Sequence, residues 1–230
     1  MPQPSFRFKD ARERLHYSAT ERMVHTLFPG SHVRFVEEEL YPILTKAMEK
    51  TPESPLDSPM YSIEVKQGNK RVRVWCALNV IYERKESQVR NGRRYSWKKP
   101  LGDIDCLFYL ADHDTALLEF YSICRDMKEG DFDFVKSKSR KGDLVFVELK
   151  TENSKHKAYD QLKRAKKYFQ MPKDHLFYVY FDKAGRYRVL RYPELQNLIG
   201  RPTTFNDYQK LSLLGETLSS SIGVELPTEV

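Results

Sequence analysis

The sequence predicts an α/β fold, and three observations carry that expectation. The run Gly142 to Lys150 is an apolar strand that leads into an amphipathic helical pattern over 156–170 and then a second apolar run, Leu176 to Phe181. Upstream, Tyr61 to Val65 and Val72 to Tyr82 alternate in polarity around Gln67-Gly68-Asn69-Lys70, the pattern of a β-hairpin. Ahead of these, charged segments carry apolar residues at three- and four-residue spacing, as surface helices do.

Taken in order, residues 10–28 predict a helix with a stripe at Leu15, Met23, Val24 and Leu27, capped by Ser18 or Thr20 and ended by Pro29-Gly30. A second helix is expected from about Val36 to Lys50, and the Pro- and Ser-rich stretch from Thr51 to Pro59 reads as a loop. After the hairpin, Arg84 to Lys99 is a basic stretch. It leads into a strand from Gly102 to Leu110. A short helix is expected at Ala116 to Cys124 and an exposed basic turn at Lys136 to Lys141. The helix over 156–170 places Ala158, Leu162, Ala165 and Phe169 on one stripe, and Arg186 to Tyr192 is a further strand. A short helix follows Pro193, and the tail from Ser219 to Val230 is expected to be partly disordered. The domain organisation is a single unit over 1–230: N-terminal helices over 1–60, a core sheet over 61–192 with an insertion near 111–141, and a C-terminal extension over 193–230.

Composition narrows the function classes. With 40% hydrophobic, 31% charged and 13% aromatic residues in 230, the chain has enough apolar surface for a substantial core. Its 39 Lys and Arg against 32 acidic residues leave a net charge of +7, clustered in Arg90 to Lys99, Lys136 to Lys141, Lys155 to Lys157 and Lys163 to Lys167. Clustered cations suit a polyanion. Cys76, Cys106 and Cys124 are odd in number and widely spaced, so they read as buried thiols of a reducing compartment, and no Cys or His spacing suits structural zinc. No segment approaches the ~20 apolar residues of a membrane helix. The expectation is a soluble intracellular protein, cytoplasmic or nuclear.

The chemistry concentrates on the strand ending Val145-Phe146-Val147-Glu148-Leu149-Lys150. Side chains alternate along a strand, so Glu148 and Lys150 share a face with Phe146 while Val145, Val147 and Leu149 line the other. Two charges in an apolar run either pair structurally or form half of a site. Asp103 and Asp105 on the preceding strand share a face if that strand is regular, and either supplies a second carboxylate. On the following helix Gln161 and Tyr168, seven positions apart, nearly superimpose at the edge of the apolar stripe. Carboxylate oxygens suit hard divalent cations such as Mg²⁺. Two other Glu-x-Lys triplets, Glu64-Val65-Lys66 and Glu83-Arg84-Lys85, lack an apolar strand followed by such a helix. Asp143 projects opposite to Glu148 and suits a turn.

Gly102-Asp103-Ile104-Asp105, then Val145 to Thr151, then Gln161 and Tyr168, resembles the PD-(D/E)xK, or restriction-endonuclease-like, nuclease superfamily over roughly Lys98 to Phe181. That resemblance implies a mixed central β-sheet flanked by helices, a restriction-endonuclease-like core with an insertion. It implies a hydrolase, a Mg²⁺- or Mn²⁺-dependent endonuclease that cleaves phosphodiester bonds in nucleic acid, with DNA favoured over RNA. In it Asp105, favoured over Asp103, and Glu148 bind metal, Lys150 assists hydrolysis, and Gln161 and Tyr168 mark one branch. A glutamate on the first helix, Glu21 with Glu38 as competitor, would touch a second metal. The sequence departs from the pattern in having no proline before Asp105 and about forty residues between it and Glu148. Candidate nucleic-acid contacts are Arg93, Arg94, Lys98, Lys138, Arg140, Lys157, Arg164 and Tyr168. Tyr95 and Trp97 are expected in core packing ahead of base stacking. The rival expectation is a catalytically inactive nucleic-acid-binding module of the same fold, working with a protein partner in a recombination, transposition or polymerase assembly; a third is a basic interaction protein with no nucleic-acid role.

Overall fold

The computed structural model of the protein describes residues 11–36, 58–67, 69–136, 140–151, 154–223 and 225. Among these described residues seven strands form one sheet in chain order: β1 (His32–Phe35), β2 (Met60–Gln67), β3 (Lys70–Arg90), β4 (Arg93–Leu110), β5 (Asp143–Lys150), β6 (Leu176–Phe181) and β7 (Tyr187–Arg191). Every neighbouring pair is antiparallel except β5 and β6, which run parallel. A parallel pair needs a long crossover. Helix α3 (Lys155–Phe169) supplies it, as the strand–helix–strand pattern predicts.

Two apolar layers sandwich the sheet. On one side α2 (Ala116–Glu129), α3 and α4 (Tyr192–Leu198) bury Phe120, Ile123, Leu162, Phe169 and Leu195 against Leu107, Tyr109, Leu144 and Phe146. On the other, α1 (Ala11–Leu27) and α5 (Ser212–Ile222) bury Met23, Leu27, Leu214 and Leu218 against Cys106, Phe108, Val145, Val147 and Leu149. The sequence-based alternation of β5 is therefore the observed one. The three cysteines are buried free thiols, with the Cys76 and Cys106 sulfurs 3.5 Å apart. No helix among the described residues is long and apolar enough to cross a membrane.

Several expectations are corrected. Leu15 is exposed rather than part of the stripe of α1, whose inward face is Ala19, Met23, Val24 and Leu27. Ser18 and Thr20 lie within α1 and do not cap it; the Thr20 hydroxyl donates to the His16 carbonyl one turn back, as hydroxyls inside helices do. Helix α2 runs on to Glu129, because Met127 continues its apolar stripe. Helix α4 starts at Tyr192, with Pro193 in its first turn where no amide is needed. Ser219 to Ile222 are the last turn of α5. The helix expected from Val36 to Lys50, with Glu38, lies beyond Val36 outside the described residues, as does Lys138.

The largest correction concerns Arg84 to Lys99. This stretch is a two-stranded arm, the far halves of β3 and β4, paired from Arg84↔Lys99 out to Arg90↔Arg93. Asn91 (φ 50°) and Gly92 (φ 73°) close it, both left-handed as a two-residue type I′ hairpin turn requires. The C-terminus of α2 grips its root. Gly130 has φ 75°, and a Cβ there would lie 2.9 Å from both the Glu83 carbonyl and the Lys85 amide. Replacing Gly130 with Ala is expected to lower stability by about 2 kcal/mol, from left-handed strain plus the backbone clash. Gly92→Ala, with the same φ sign but open space around it, should lose only about 1 kcal/mol. Thermal melts of the two variants check the order.

Candidate active site

The site forms where two strands part. The β4–β5 ladder runs from Leu110↔Asp143 to Cys106↔Val147 and stops. Beyond it the Asp105 carboxylate takes the place of a backbone acceptor: the Leu149 amide donates to Asp105 Oδ2 at 2.7 Å. The Leu149 carbonyl accepts from His16 Nε2 at 2.7 Å, so that nitrogen carries the proton, and it also lies 3.6 Å from Asp105 Oδ2. Side chains from α1 and β4 thus satisfy main-chain groups of β5 that a continuing strand would have paired.

The same place breaks the alternation of β3 and β4. The ladder pairs Leu78↔Cys106 and then Val80↔Ile104, skipping Asn79, whose φ is 53°, and Asp105. Leu78 and Cys106 pack on the α1 side, whereas Val80 and Ile104 pack on the α2 side. This irregularity turns Asp105 toward β5 and separates it from Asp103, which a regular strand would have kept on its face.

Lys150 Nζ donates to Asp105 Oδ2 at 3.2 Å and also to Glu148 Oε1. Asp105 and Glu148 are 2% and 1% exposed, and the Lys150 side chain 12%. Two carboxylates against one ammonium leave this buried cluster one charge negative. Burial, then the Asp105 charge, pushes the Glu148 carboxyl well above its usual range, and the Lys150 ammonium only partly counters them. For Lys150 burial favours the neutral amine, but Asp105 and Glu148 outweigh it and hold the ammonium protonated.

Gln161 Nε2 donates to Asp103 Oδ1 at 3.2 Å, tying α3 to the rim of the site. Its Oε1 and the fully buried Tyr82 hydroxyl make no hydrogen bond among the described residues. Burial raises the Tyr82 pKa, the nearby Arg164 guanidinium opposes the rise, and the Glu148 and Asp103 charges add to it. Tyr168 packs against Tyr82 with ring centroids 6.2 Å apart. Gly102 leaves room for that hydroxyl, since a Cβ would meet it at 2.5 Å.

The structure therefore brings together Asp105, Glu148 and Lys150, with Gln161 and Tyr168 beside them. It gives Glu21 to the Tyr61 hydroxyl at 3.3 Å and, among the described residues, no contact with Asp105. Arg140 is half-buried and donates to the Val135 and Gly142 carbonyls, so it staples a loop instead of standing as an exposed cation. Lys98 bridges to Glu129 at 2.7 Å, while Arg93, Arg94, Lys157 and Arg164 are exposed. Glu64 pairs at the surface with Lys66 and Arg71, away from this cluster. His16 and Tyr82 are site residues that no local motif marks; for the arm, read from the sequence only as a basic stretch, Asn91-Gly92 is the signal that could have revealed a hairpin.

Among the described residues no three His, Cys, Asp or Glu side chains gather as a metal cage. Two carboxylates with an adjacent lysine suit Mg²⁺ or Mn²⁺, which take substrate oxygens and waters as further ligands, better than zinc. No family model, curated protein or solved structure matches the chain.

The excess negative charge has a pH consequence. Glu148 binds its proton more tightly in the folded than the unfolded chain, so the native state loses stability as pH rises from about 4.3 through the raised folded value. Glu148→Gln removes that charge. At pH 8 it is expected to melt a few degrees above the wild type, on the order of 1 kcal/mol, with the difference closing in acid. A variant that melts below the wild type at pH 8 contradicts the charge balance.

Proposed function

We propose that the protein is a Mg²⁺- or Mn²⁺-dependent nuclease of the PD-(D/E)xK type that hydrolyses phosphodiester bonds in DNA. The observation that carries this reading is the convergence of Asp105 and Glu148, from adjacent strands, on the single ammonium of Lys150. A buried cluster with one surplus negative charge favours a cation. Asp105 and Glu148 would hold the ion. Bound there, the metal supplies Lewis acidity and a more acidic water.

The remaining roles follow from the chain's own groups. The Leu149 amide and Lys150 hold Oδ2 of the Asp105 carboxylate, so its other oxygen is aimed by the fold rather than by chance. Lys150 stays protonated and hydrogen-bonded at the cluster, where it can orient water and offset charge growing on phosphorus. Gln161 positions Asp103 at the rim. Exposed Arg164, close enough to act on Tyr82, offers a phosphate contact beside the site.

Incubation with single- and double-stranded DNA and RNA, with Mn²⁺ and with chelator, tests the reading. Cleavage of DNA is expected with metal and none with chelator. Glu148→Gln and Lys150→Ala should lower the rate on the order of 10²–10³-fold. No wild-type cleavage of any substrate, or cleavage undiminished in both variants, overturns it. Salt-dependent binding that survives both substitutions without any cleavage would instead identify the non-catalytic module.

A further inference from the structure

The arm of β3 and β4 accounts for nearly all of the protein's surplus charge. Residues 84–99 hold seven Lys and Arg against one acidic residue, so their net charge nearly equals the +7 of the whole chain. Its two faces differ in what they do. Alternation and the register Lys85↔Lys98 put these two lysines on one face, and both bridge to Glu129 of α2, at 3.7 and 2.7 Å. That face is tied to the body of the protein.

The other face carries Arg84, Glu86, Gln88 and Arg90 opposite Lys99, Trp97, Tyr95 and Arg93. Trp97 is 44% and Tyr95 52% exposed, so the expectation that they pack in the core is wrong. Neither belongs to either apolar layer of the sheet. Glu86 is already held by Arg84 and Lys99, whereas Arg90 and Arg93, at the outer end of this face, pair with no carboxylate among the described residues. Exposed Trp97 and Tyr95, on one face with Arg90 and Arg93, do not serve the apolar packing of the sheet. They do have the composition of a stacking platform, where aromatic rings take the faces of bases and cations take the phosphates.

We infer that this face of the arm binds unpaired DNA by stacking bases on Tyr95 and Trp97, feeding a single-stranded or opened segment to the nearby site. The inference rests on the nuclease reading for its choice of DNA. Spacing supports it. Residues two apart on a strand are about 6.6 Å apart, which is two steps of about 3.4 Å along a nucleic-acid strand. From Trp97 to Asp105 is eight residues of one continuous strand, roughly 26 Å, a distance that about eight nucleotides span. The arm starts at the site itself, since Tyr82 and Gly102 pair at its root beside Asp103. An intercalating duplex reader would need these rings at a groove-facing tip, but the tip holds Arg90, Asn91, Gly92 and Arg93.

The experiment uses the full chain in chelator, so that binding is read without cleavage. A 20-nucleotide single-stranded DNA, its blunt duplex and the RNA of the same sequence are titrated by anisotropy and by intrinsic fluorescence. Trp75 is 3% exposed, so quenching reports Trp97. Single-stranded DNA is expected to bind more tightly than duplex or RNA and to quench the signal. Tyr95→Ala with Trp97→Ala should weaken single-strand binding about 10-fold or more, with duplex affinity changed less than about threefold. The melting temperature should hold, because the arm lies outside both cores. Tighter binding of duplex or RNA, no quenching, or equal losses on single strand and duplex each overturn the inference. The two readings separate cleanly: stacking without wild-type cleavage in Mn²⁺ leaves the arm standing and the nuclease reading fallen, and cleavage with no dependence of binding on the two rings does the reverse.

Discussion

The hydrogen bond from the Leu149 amide to the Asp105 carboxylate is the contact on which the rest of the site depends. A backbone amide buried in a sheet must find an acceptor, and where β4 and β5 part the ladder no longer offers one. A side-chain carboxylate fills the gap. Once it does, it is fixed within reach of Lys150, and the lysine in turn draws in Glu148. The defect in the sheet and the charged cluster are one feature: continuous pairing of the two strands would leave no room for Asp105 between them.

Burial gives that cluster its character. Almost no solvent reaches the two carboxylates, so their mutual repulsion is weakly screened and a single ammonium cannot neutralise both. Water, the usual remedy, is largely excluded. The cluster therefore holds one proton tightly or accepts another cation. The densest cationic surface lies elsewhere, on the arm, so in the proposed reading attraction of a polyanion and the chemistry on it fall to different parts of one pair of strands.

Local sequence signals located the strand–helix–strand unit accurately, because a crossover helix with one apolar stripe and two apolar strands leaves little freedom. They set the facing of Glu148, Lys150 and Gln161 for the same reason: each sits on a regular element whose facing follows its period, whereas Asp105 was preferred to Asp103 only on the family resemblance. They failed where a residue's role comes from another element. His16 looked like a residue of a charged helix and gains its place only because α1 lies across the end of β5. Arg140 looked like part of a basic turn, and Tyr95 and Trp97 like core aromatics, because charge and hydrophobicity alone do not say what stands opposite. The arm was legible from Asn91-Gly92, yet the density of basic residues around it masked the alternation.

By itself the sequence determined the α/β class, the course of β5 and α3, and which face of β5 bears the charges. Helical and strand periods are properties of neighbouring residues, and solvent sorts them before any tertiary contact forms. Only the folded arrangement decided that Asp105 rather than Asp103 meets Lys150, since the choice turns on a paired irregularity at Asn79 and Asp105 that no local period reveals. It also decided that sixteen residues of chain, seven of them basic, stand out as an arm. Whether a cation is neutralised depends on a carboxylate thirty or more residues away, as Glu129 does for Lys98, and that is a matter of packing.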